Sequence, residues 1–583
     1  MTAWLMKFGF GGVQEFIAQS RKTRDLAAGS LILQNMARAV AAEAQRLGAE
    51  VILPKKPDVA CPHQLLLRWN DGDAAAIEAY GKALRAKAKD YWQGCVFDLV
   101  RLELASLKSV RKDPALVAPQ LEHAFESYWV AVPLEKEEDY PTAFHDVQER
   151  YELRRFTRTF PQEQRPDNPL GTCAQCGARN AVVDPSKAFR HGKLDPRDKL
   201  CAVCLAKRLW SYSEFDEAFP STVHLARDRF FRLPEYQAQR EVLAKNKAEA
   251  KDWREFQEGT QETDPNVLEV IRKAMAARDS LPPYYVALDF DGNRMGEWFS
   301  GRYFAKGTNL KEAQKTLSEA LASFVTALRA GASCLRATVI YLGGDDGLVL
   351  LPLDYLFPFI RLVQKTWQEH VEQANKVRDI AQGKRGPTLS LHASVVHQSD
   401  PFQRVIADLH PALEGTKEQG NREAFSISVA PRAGSEAKAL FRWEELEALI
   451  QAVESFSTWW IEDFPPLGTG GCPAKSKLDD RRQQAFPARL PYVLADALAP
   501  LFDENGALST GDLETAFDLE LKRLLSKRED PTKTAGKLFD FLRTLVKGPQ
   551  LGELAPRDRL VSVLTVVPFL ARWLDWGSGE VQP

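Results

Sequence analysis

Three clusters of side chains in this sequence are of types and spacings that do chemistry. Residues 337–352 read Ala-Thr-Val-Ile-Tyr-Leu-Gly-Gly-Asp-Asp-Gly-Leu-Val-Leu-Leu-Pro, two apolar runs joined by Gly343 and Gly344, with Asp345 and Asp346 at the tip. Glycines there free the backbone for a tight hairpin turn, whereas adjacent carboxylates repel, a cost that a bound divalent cation offsets. Oxygen ligands suit Mg²⁺ or Mn²⁺, which activate a hydroxyl for attack on phosphate. Residues 284–296 read Tyr-Tyr-Val-Ala-Leu-Asp-Phe-Asp-Gly-Asn-Arg-Met-Gly, an apolar strand ending in Asp289 and Asp291. Strand side chains alternate, so these two acids share a face, and Gly292 and Gly296 let the backbone approach a ligand closely. If this strand pairs with the hairpin, Asp289, Asp291, Asp345 and Asp346 converge at one sheet end, the arrangement that two-metal nucleotidyl transfer requires. The third cluster is Cys173-Ala-Gln-Cys176 and Cys201-Ala-Val-Cys204, separated by residues 177–200. Two such knuckles supply the four thiolates of a structural zinc site, with His191 in the intervening loop able to replace one of them. Cys61, Cys95, Cys334 and Cys472 are scattered and read as small apolar residues.

The elements that must position the acids follow in the order β-α-β-β-α-β. Strands are expected at 284–290, 336–342, 347–352 and 388–397, with helices near 310–330 and 355–380, then a helix at 401–418 and a strand at 424–430. That is the order of a ferredoxin-like sheet, with helices on one face and the other open to a nucleotide or a partner. It is the palm architecture of nucleotide cyclases and polymerases, which does not by itself choose the reaction. The N-terminal part repeats the order: a strand at 3–10, a helix over 13–46 broken at Gly29, strands at 50–54 and 64–69, a helix over 74–94 and a strand at 127–134. The turn between its paired strands, residues 54–62, has no acidic pair, so this copy is expected to lack a metal site. A site formed between the two copies is expected. The fold class is thus α+β, divided into a first, degenerate palm (1–150), a zinc-knuckle and helical domain (151–280), a second palm (281–437) and a C-terminal helical bundle (438–583). The bundle helices are expected at 442–464, 490–503, 511–527, 533–547 and 557–576.

Composition narrows the class. The chain has 583 residues, 44 % of them hydrophobic, enough for several packed cores. Its 77 basic and 79 acidic residues leave a formal charge of −2, which excludes a simple basic nucleic-acid binder. No signal peptide opens it, and its most apolar late stretch, 560–574, is too short to span a bilayer. A cytoplasmic protein is expected.

The chain resembles a known family, the large subunits of type III CRISPR effector complexes, in the Cmr branch. The resemblance is carried by Gly-Gly-Val-Gln-Glu-Phe-Ile at 11–17 and Arg-Lys-Thr-Arg-Asp-Leu-Ala-Ala-Gly-Ser at 21–30, similar to the signature opening the family's first palm. The two cysteine knuckles, Asp291 to Gly296 and Gly343 to Asp346 follow in family order. The resemblance implies a cyclic oligoadenylate synthetase that joins ATP when a guide RNA in the complex pairs with target RNA. It implies Mg²⁺ or Mn²⁺ on Asp345, Asp346 and Asp291; Asp289 is added from strand geometry alone. It places Lys417 near the triphosphate and Ser30 facing an ATP on the first palm, with Gly292, Gly343 and Gly344 allowing the nucleotide close. Asn293 stands where the family often has a second Asp. The implied partners are the subunit holding the guide RNA's 5′ end, the backbone and small helical subunits, guide RNA and target RNA. Many members begin with a His-Asp nuclease domain. Here the first palm is expected from residue 3, and the His145-Asp146 pair lacks companion histidines, so no such nuclease is expected. The alternative reading is a catalytically inactive scaffold subunit of the same complex, for which two adjacent carboxylates would have no purpose. An unrelated palm enzyme such as a diguanylate cyclase is disfavoured by the knuckles and the opening signature.

Overall fold

The computed structural model describes residues 2–107, 110–157, 170–185, 194, 198–215, 219–245, 265–276, 281–431, 436–462, 499–502 and 556–574, with a few positions between 515 and 545. The N-terminal part comprises β1 (Ala3–Gly11), α1 (Val13–Ala18), α2 (Thr23–Arg46), β2 (Glu50–Leu53), β3 (Gln64–Trp69), α3 (Ala74–Ser106), β4 (Glu126–Leu134) and α4 (Tyr140–Phe156). Its strands lie in the order β2-β3-β1-β4, all antiparallel. After α5 (Ala202–Glu214) come β5 (Tyr284–Gly292), α6 (Leu310–Cys334), β6 (Thr338–Leu342), β7 (Asp346–Pro352) and α7 (Leu356–Trp367). Then follow β8 (Leu389–His397), α8 (Phe402–Gln419), β9 (Ala424–Ala430), β10 (Ala437–Arg442), α9 (Leu446–Glu462) and α10 (Pro556–Trp573). The second sheet runs β10-β9-β8-β5-β7-β6. Its first four strands in sequence, β5 to β8, are ordered as β1 to β4 are in the first sheet, so the repeat expected from element order is present.

The sheets share a core. Leu5 and Val132 of the first sheet pack in one apolar cluster with Leu288, Phe290, Val349 and Leu351 of the second, and Leu317, Phe324 and Leu328 of α6 lie within it. α6 is amphipathic and begins where the Asn309 side chain accepts the Glu312 N–H at 3.1 Å. The second face of the second sheet is not open, contrary to expectation. Tyr285, Ala287, Ile340 and Leu350 pack there against Leu26 and Ala27 of α2, Leu225 and Ala226, and Val405, Ile406 and Leu409 of α8. The cause is topological: β8 and β9 are parallel, so their crossover, α8, must lie on a face of the sheet.

Three further expectations change. The helix over 13–46 is interrupted at residues 19–22 rather than at Gly29, because the Lys207 ammonium binds the Phe16 and Gln19 carbonyls, each at 2.7 Å, and ends α1. Gly29 instead lets α2 pass close, since a Cβ there would lie 3.3 Å from Lys207 Cδ and 3.5 Å from Ile17 Cα. The helix expected over 355–380 is α7, one π turn (Gln368–Glu372) and a separate short helix (Asn375–Ile380). The expected boundary at 437/438 falls at the start of β10, a sixth strand. α9 and α10 cover the same core as this sheet, with Tyr284 of β5 5.0 Å from Phe569 and 5.5 Å from Trp573 between ring centroids. The helices expected at 490–503, 511–527 and 533–547, and Cys472, lie largely or wholly outside the described residues. Among the described residues no helix is long and apolar enough to cross a membrane.

Candidate active site and cysteine cluster

The two acidic segments meet. β5 and β7 are antiparallel neighbours in a register that sets Asp291 directly across from Asp346, and the Gly292 N–H donates to the Asp345 carbonyl at 2.9 Å. β6 and β7 form the expected hairpin, closed by the Gly343 N–H bonding the Asp346 carbonyl at 3.0 Å. Gly344 takes φ 133°, a conformation that costs other residues dearly. A Cβ on Gly343 would fall 2.3 Å from Asp346 Oδ1, and one on Gly292 3.1 Å from the Asp345 Cβ. These glycines leave room for the carboxylates themselves.

Burial raises all four acids at this end, outweighing the cations and hydrogen bonds that favour their charge. Burial, with the Asp291 charge adding repulsion and a backbone hydrogen bond and Lys417 opposing, raises Asp345 to about 7. Burial and the Asp345, Asp291 and Asp289 charges hold Asp346 well above the usual carboxylate range. Asp289 and Asp291 are also raised, mainly by burial. A group of acids that resists ionising together, and that offers only oxygen atoms, fits a hard divalent cation. The carboxylates are nevertheless more widely spread than the knuckle cysteines, which among the described residues are the group whose ligand atoms all lie within 4.8 Å of one another.

α8 supplies the positive counterpart. Lys417 is buried, and its ammonium bonds Asp291 Oδ2 at 2.5 Å and Glu414 Oε1 at 2.6 Å. Burial disfavours its charge, yet Asp291 and Glu414 more than offset this and raise its pKa. His410 Nδ1 lies 3.7 Å from Asp289 Oδ2, which raises the imidazole's pKa. His410, Glu414 and Lys417 recur at helical spacing and form one stripe above the acids, a pattern present in the sequence but read only at Lys417. Tyr341 was also missed; its hydroxyl hydrogen-bonds Asp346. Asn293 is taken up by other partners. Its side chain is buried and bonds Thr388 Oγ1 (3.1 Å), the Arg422 carbonyl and Ser390 Oγ (3.2 Å), fixing the end of β5 to the neighbouring strand. Ser30 is buried on α2, where its hydroxyl accepts from Gln34 Nε2 at 3.0 Å. One helical turn before it, Leu26 and Ala27 pack on the second sheet. Asp146 is paired with Arg150 at 2.6 Å on the surface of α4.

A cleft of about 460 Å³ runs between the two sheets' domains. One wall holds Gly343, Gly344 and Asp345; the other holds Lys7, His63 and Gln148.

The four cysteines of the two knuckles come together as expected, while His191 lies outside the described residues. Zinc–sulfur bonds of about 2.3 Å in a tetrahedron space sulfurs about 3.8 Å apart. Cys176 and Cys201 Sγ are 3.8 Å apart. Hydrogen bonds from Cys173 and the other two thiols hold Cys176 far below its usual range, and burial holds Cys201 above it. The donor set fits a structural Zn²⁺. Gln175, between the knuckle cysteines, donates to the Gln19 carbonyl at 3.1 Å, and its own carbonyl accepts from Gln403 of α8 at 2.6 Å. Arg208, fully buried, bonds Asp25 of α2 at 2.8 Å and also Asp198 beside the second knuckle. The knuckle therefore joins the break after α1 to the start of α8.

Two family models match the chain: "Cas10/Cmr2, second palm domain" over residues 284–426 and "CRISPR-associated protein Cmr2, N-terminal" over residues 5–124. A relative, the CRISPR system Cmr subunit Cmr2 of Pyrococcus furiosus, is 24 % identical over 200 residues, which are 30 % of this chain and 22 % of the relative. The match thus spans under a quarter of that protein. Among solved structures, a chain of the type III-B Cmr-beta complex in its apo state, determined by cryo-EM, superposes with a TM-score of 0.63 at 13 % identity, covering 98 % of this chain and 82 % of that one. A chain of Cmr-beta bound to cognate target RNA gives 0.53 at 13 % identity, covering 98 % and 83 %. At such identities the likeness is one of fold.

Proposed function

Since the chain belongs to the Cas10/Cmr2 family of type III CRISPR large subunits, we propose that it joins ATP into cyclic oligoadenylates within an RNA-guided complex that has bound target RNA. The observation that carries this reading is the pairing of Asp291 with Asp346, which brings both acidic segments to one sheet end beside an inter-domain cleft. In the reaction a ribose hydroxyl attacks the α-phosphate of a second ATP. A phosphoester bond forms, the α–β phosphoanhydride breaks, pyrophosphate departs and the hydroxyl proton passes to solvent. Asp345, Asp346 and Asp291, with Asp289 behind them, would hold Mg²⁺ or Mn²⁺, which when bound acidifies the attacking hydroxyl and neutralises the departing charge.

The chain's own residues do the rest. Tyr341 orients Asp346. Gly343 and Gly344 keep the turn free of side chains so that a nucleotide can lie against it. Lys417, which closes on Asp291, would turn to a triphosphate, and Ser30, buried against Gln34, would meet the nucleotide on the first palm only once uncovered. The four-cysteine knuckle would hold one structural Zn²⁺. The palm, knuckle and bundle divisions serve as working domains, with the first palm meeting the subunit at the guide RNA's 5′ end and the C-terminal helices meeting the small helical subunits. The site in the cytoplasm follows from this role.

The test is incubation of the assembled complex with ATP, Mg²⁺ or Mn²⁺ and matching target RNA, with mass analysis of products. Wild type should yield cyclic oligoadenylate, and Asp345→Ala with Asp346→Ala none, while zinc content and target-RNA binding persist. Product from the double variant at the wild-type rate would refute the site, and an assembled wild type that makes none would leave a scaffold.

A further inference from the structure

Lys7 has no evident reason to be where it is. It lies on β1 in register with Leu66 and Val130, two residues from Leu5, whose side chain is wholly buried on the same face of the strand. Lys7 itself is only 7 % exposed. Its ammonium bonds Gln148 Oε1 and lies 4.6 Å over the Tyr151 ring. Among the described residues no carboxylate lies within ion-pair distance of it. A buried cation satisfied only by an amide and a ring is costly, and a Leu or Met would serve that position better for stability. Glu152 at longer range supports its charge, while Arg155 opposes it, and burial brings its pKa down to about 8. Beside it His63, which burial, Arg155 and Lys7 hold down at about 4, is neutral, and Gln64 Nε2 sits 3.4 Å from His63 Nε2.

All of this borders the cleft. Lys7, His63 and Gln148 line one wall, and the Gly343–Asp345 turn lines the other. An under-compensated lysine that reaches a cleft, flanked by neutral donors, suits a phosphate oxygen, which lysine binds as a point charge. We propose that Lys7, with His63 and Gln148, forms a phosphate-recognition patch by which the first palm grips a polyphosphate or phosphodiester of the nucleotide in the cleft. The identity of that ligand as a nucleotide rests on the function proposed above; the patch as a polyphosphate site does not. The degenerate copy then keeps a part in the chemistry, as the wall that holds phosphate opposite the Gly343–Asp345 turn, Asp345 being the one of the four acids that lines this cleft.

The probe is sodium tripolyphosphate, titrated calorimetrically into the full chain without divalent metal, so that catalysis is not involved. Wild type should bind it, and Lys7→Met should lose at least tenfold in affinity while melting no lower, since a buried cation has been removed. At pH 8.5 wild-type binding should also take up protons, and binding to Lys7→Met should not. If Lys7→Met fails to fold, Gln148→Leu replaces it and should weaken binding about threefold by releasing the ammonium from its position. In the assembled complex Lys7→Met should raise the KM for ATP about tenfold with a smaller change in kcat. No tripolyphosphate binding by wild type, or equal binding by a folded Lys7→Met, overturns the patch. Binding that depends on Lys7 in a protein that makes no oligoadenylate would uphold the patch and overturn the catalytic reading instead.

Discussion

Asp345 is the residue whose protonation most directly reports on the site. Its folded pKa, about 7, exceeds the unfolded value, so between about pH 4 and pH 7 the folded chain holds more protons than the unfolded one. Stability must therefore fall as pH rises through that window, and the raised carboxyls of Asp289, Asp291 and Asp346 act in the same direction. Metal-free protein should melt at a lower temperature at pH 8 than at pH 5. Asp345→Asn should reduce that slope and stabilise the chain at pH 8 by on the order of 1 kcal/mol, the full effect being screened by solvent. Mg²⁺ should restore the wild-type melting temperature at pH 8 and leave the variant unmoved; thermal melts at the two pH values decide it. Lys417→Met takes away the cation that partly balances Asp291, so activity at saturating Mg²⁺ should fall by about tenfold or more. Zinc content, measured by elemental analysis, should stay at the wild-type level.

At the scale of elements, the polar pair under the C-terminal helix is the most exacting. Arg559 of α10 bonds Glu445 and the Leu440 and Leu545 carbonyls (each 3.3 Å), all in the interior, and it ties the last described helix to β10. Glu445→Gln should cost about 3 kcal/mol, because it strands a buried guanidinium, and a denaturant titration would show it as a lower midpoint. Strands were the legible elements: apolar runs bounded by Gly343–Gly344 or ending in Asp-Phe-Asp announce themselves, and β9 occupies 424–430 as expected. The acidic register was legible for the same reason, since period two fixes which face Asp289 and Asp291 share. What escaped depends on distant partners. The break after α1 is made by Lys207, 191 residues from Phe16. β10, reading Ala-Lys-Ala-Leu-Phe-Arg, is short and mixed, and becomes a strand only because β9 offers it an edge. The His410-Glu414-Lys417 stripe looks like any solvated helix face until the acids are placed beneath it.

Over the whole molecule, the two sheets with one strand order have parted in charge, acids on the second and a buried lysine on the first, and the C-terminal helices complete the second sheet's core. Removing residues 438–583 should therefore expose Phe425 and Ile427 of β9, Tyr284 of β5 and the surfaces that Val563 and Leu570 cover, and the truncated chain should aggregate; soluble, monodisperse material by size exclusion would contradict this. Through Gln175 the knuckle holds both the break after α1 and the start of α8, so it is tied to a helix of each palm. Linkage is reciprocal: if a bound nucleotide draws those two helices together, it must also tighten the hold on a zinc ion carried by the four cysteines, by the same factor that such an ion tightens the hold on nucleotide. A chromophoric chelator should therefore strip zinc from the protein more slowly when a non-hydrolysable ATP analogue is present, and Gln403→Ala, which cuts the tie at 2.6 Å, should make the two rates equal. Zinc in this chain would then keep a running record of whether the cleft is filled.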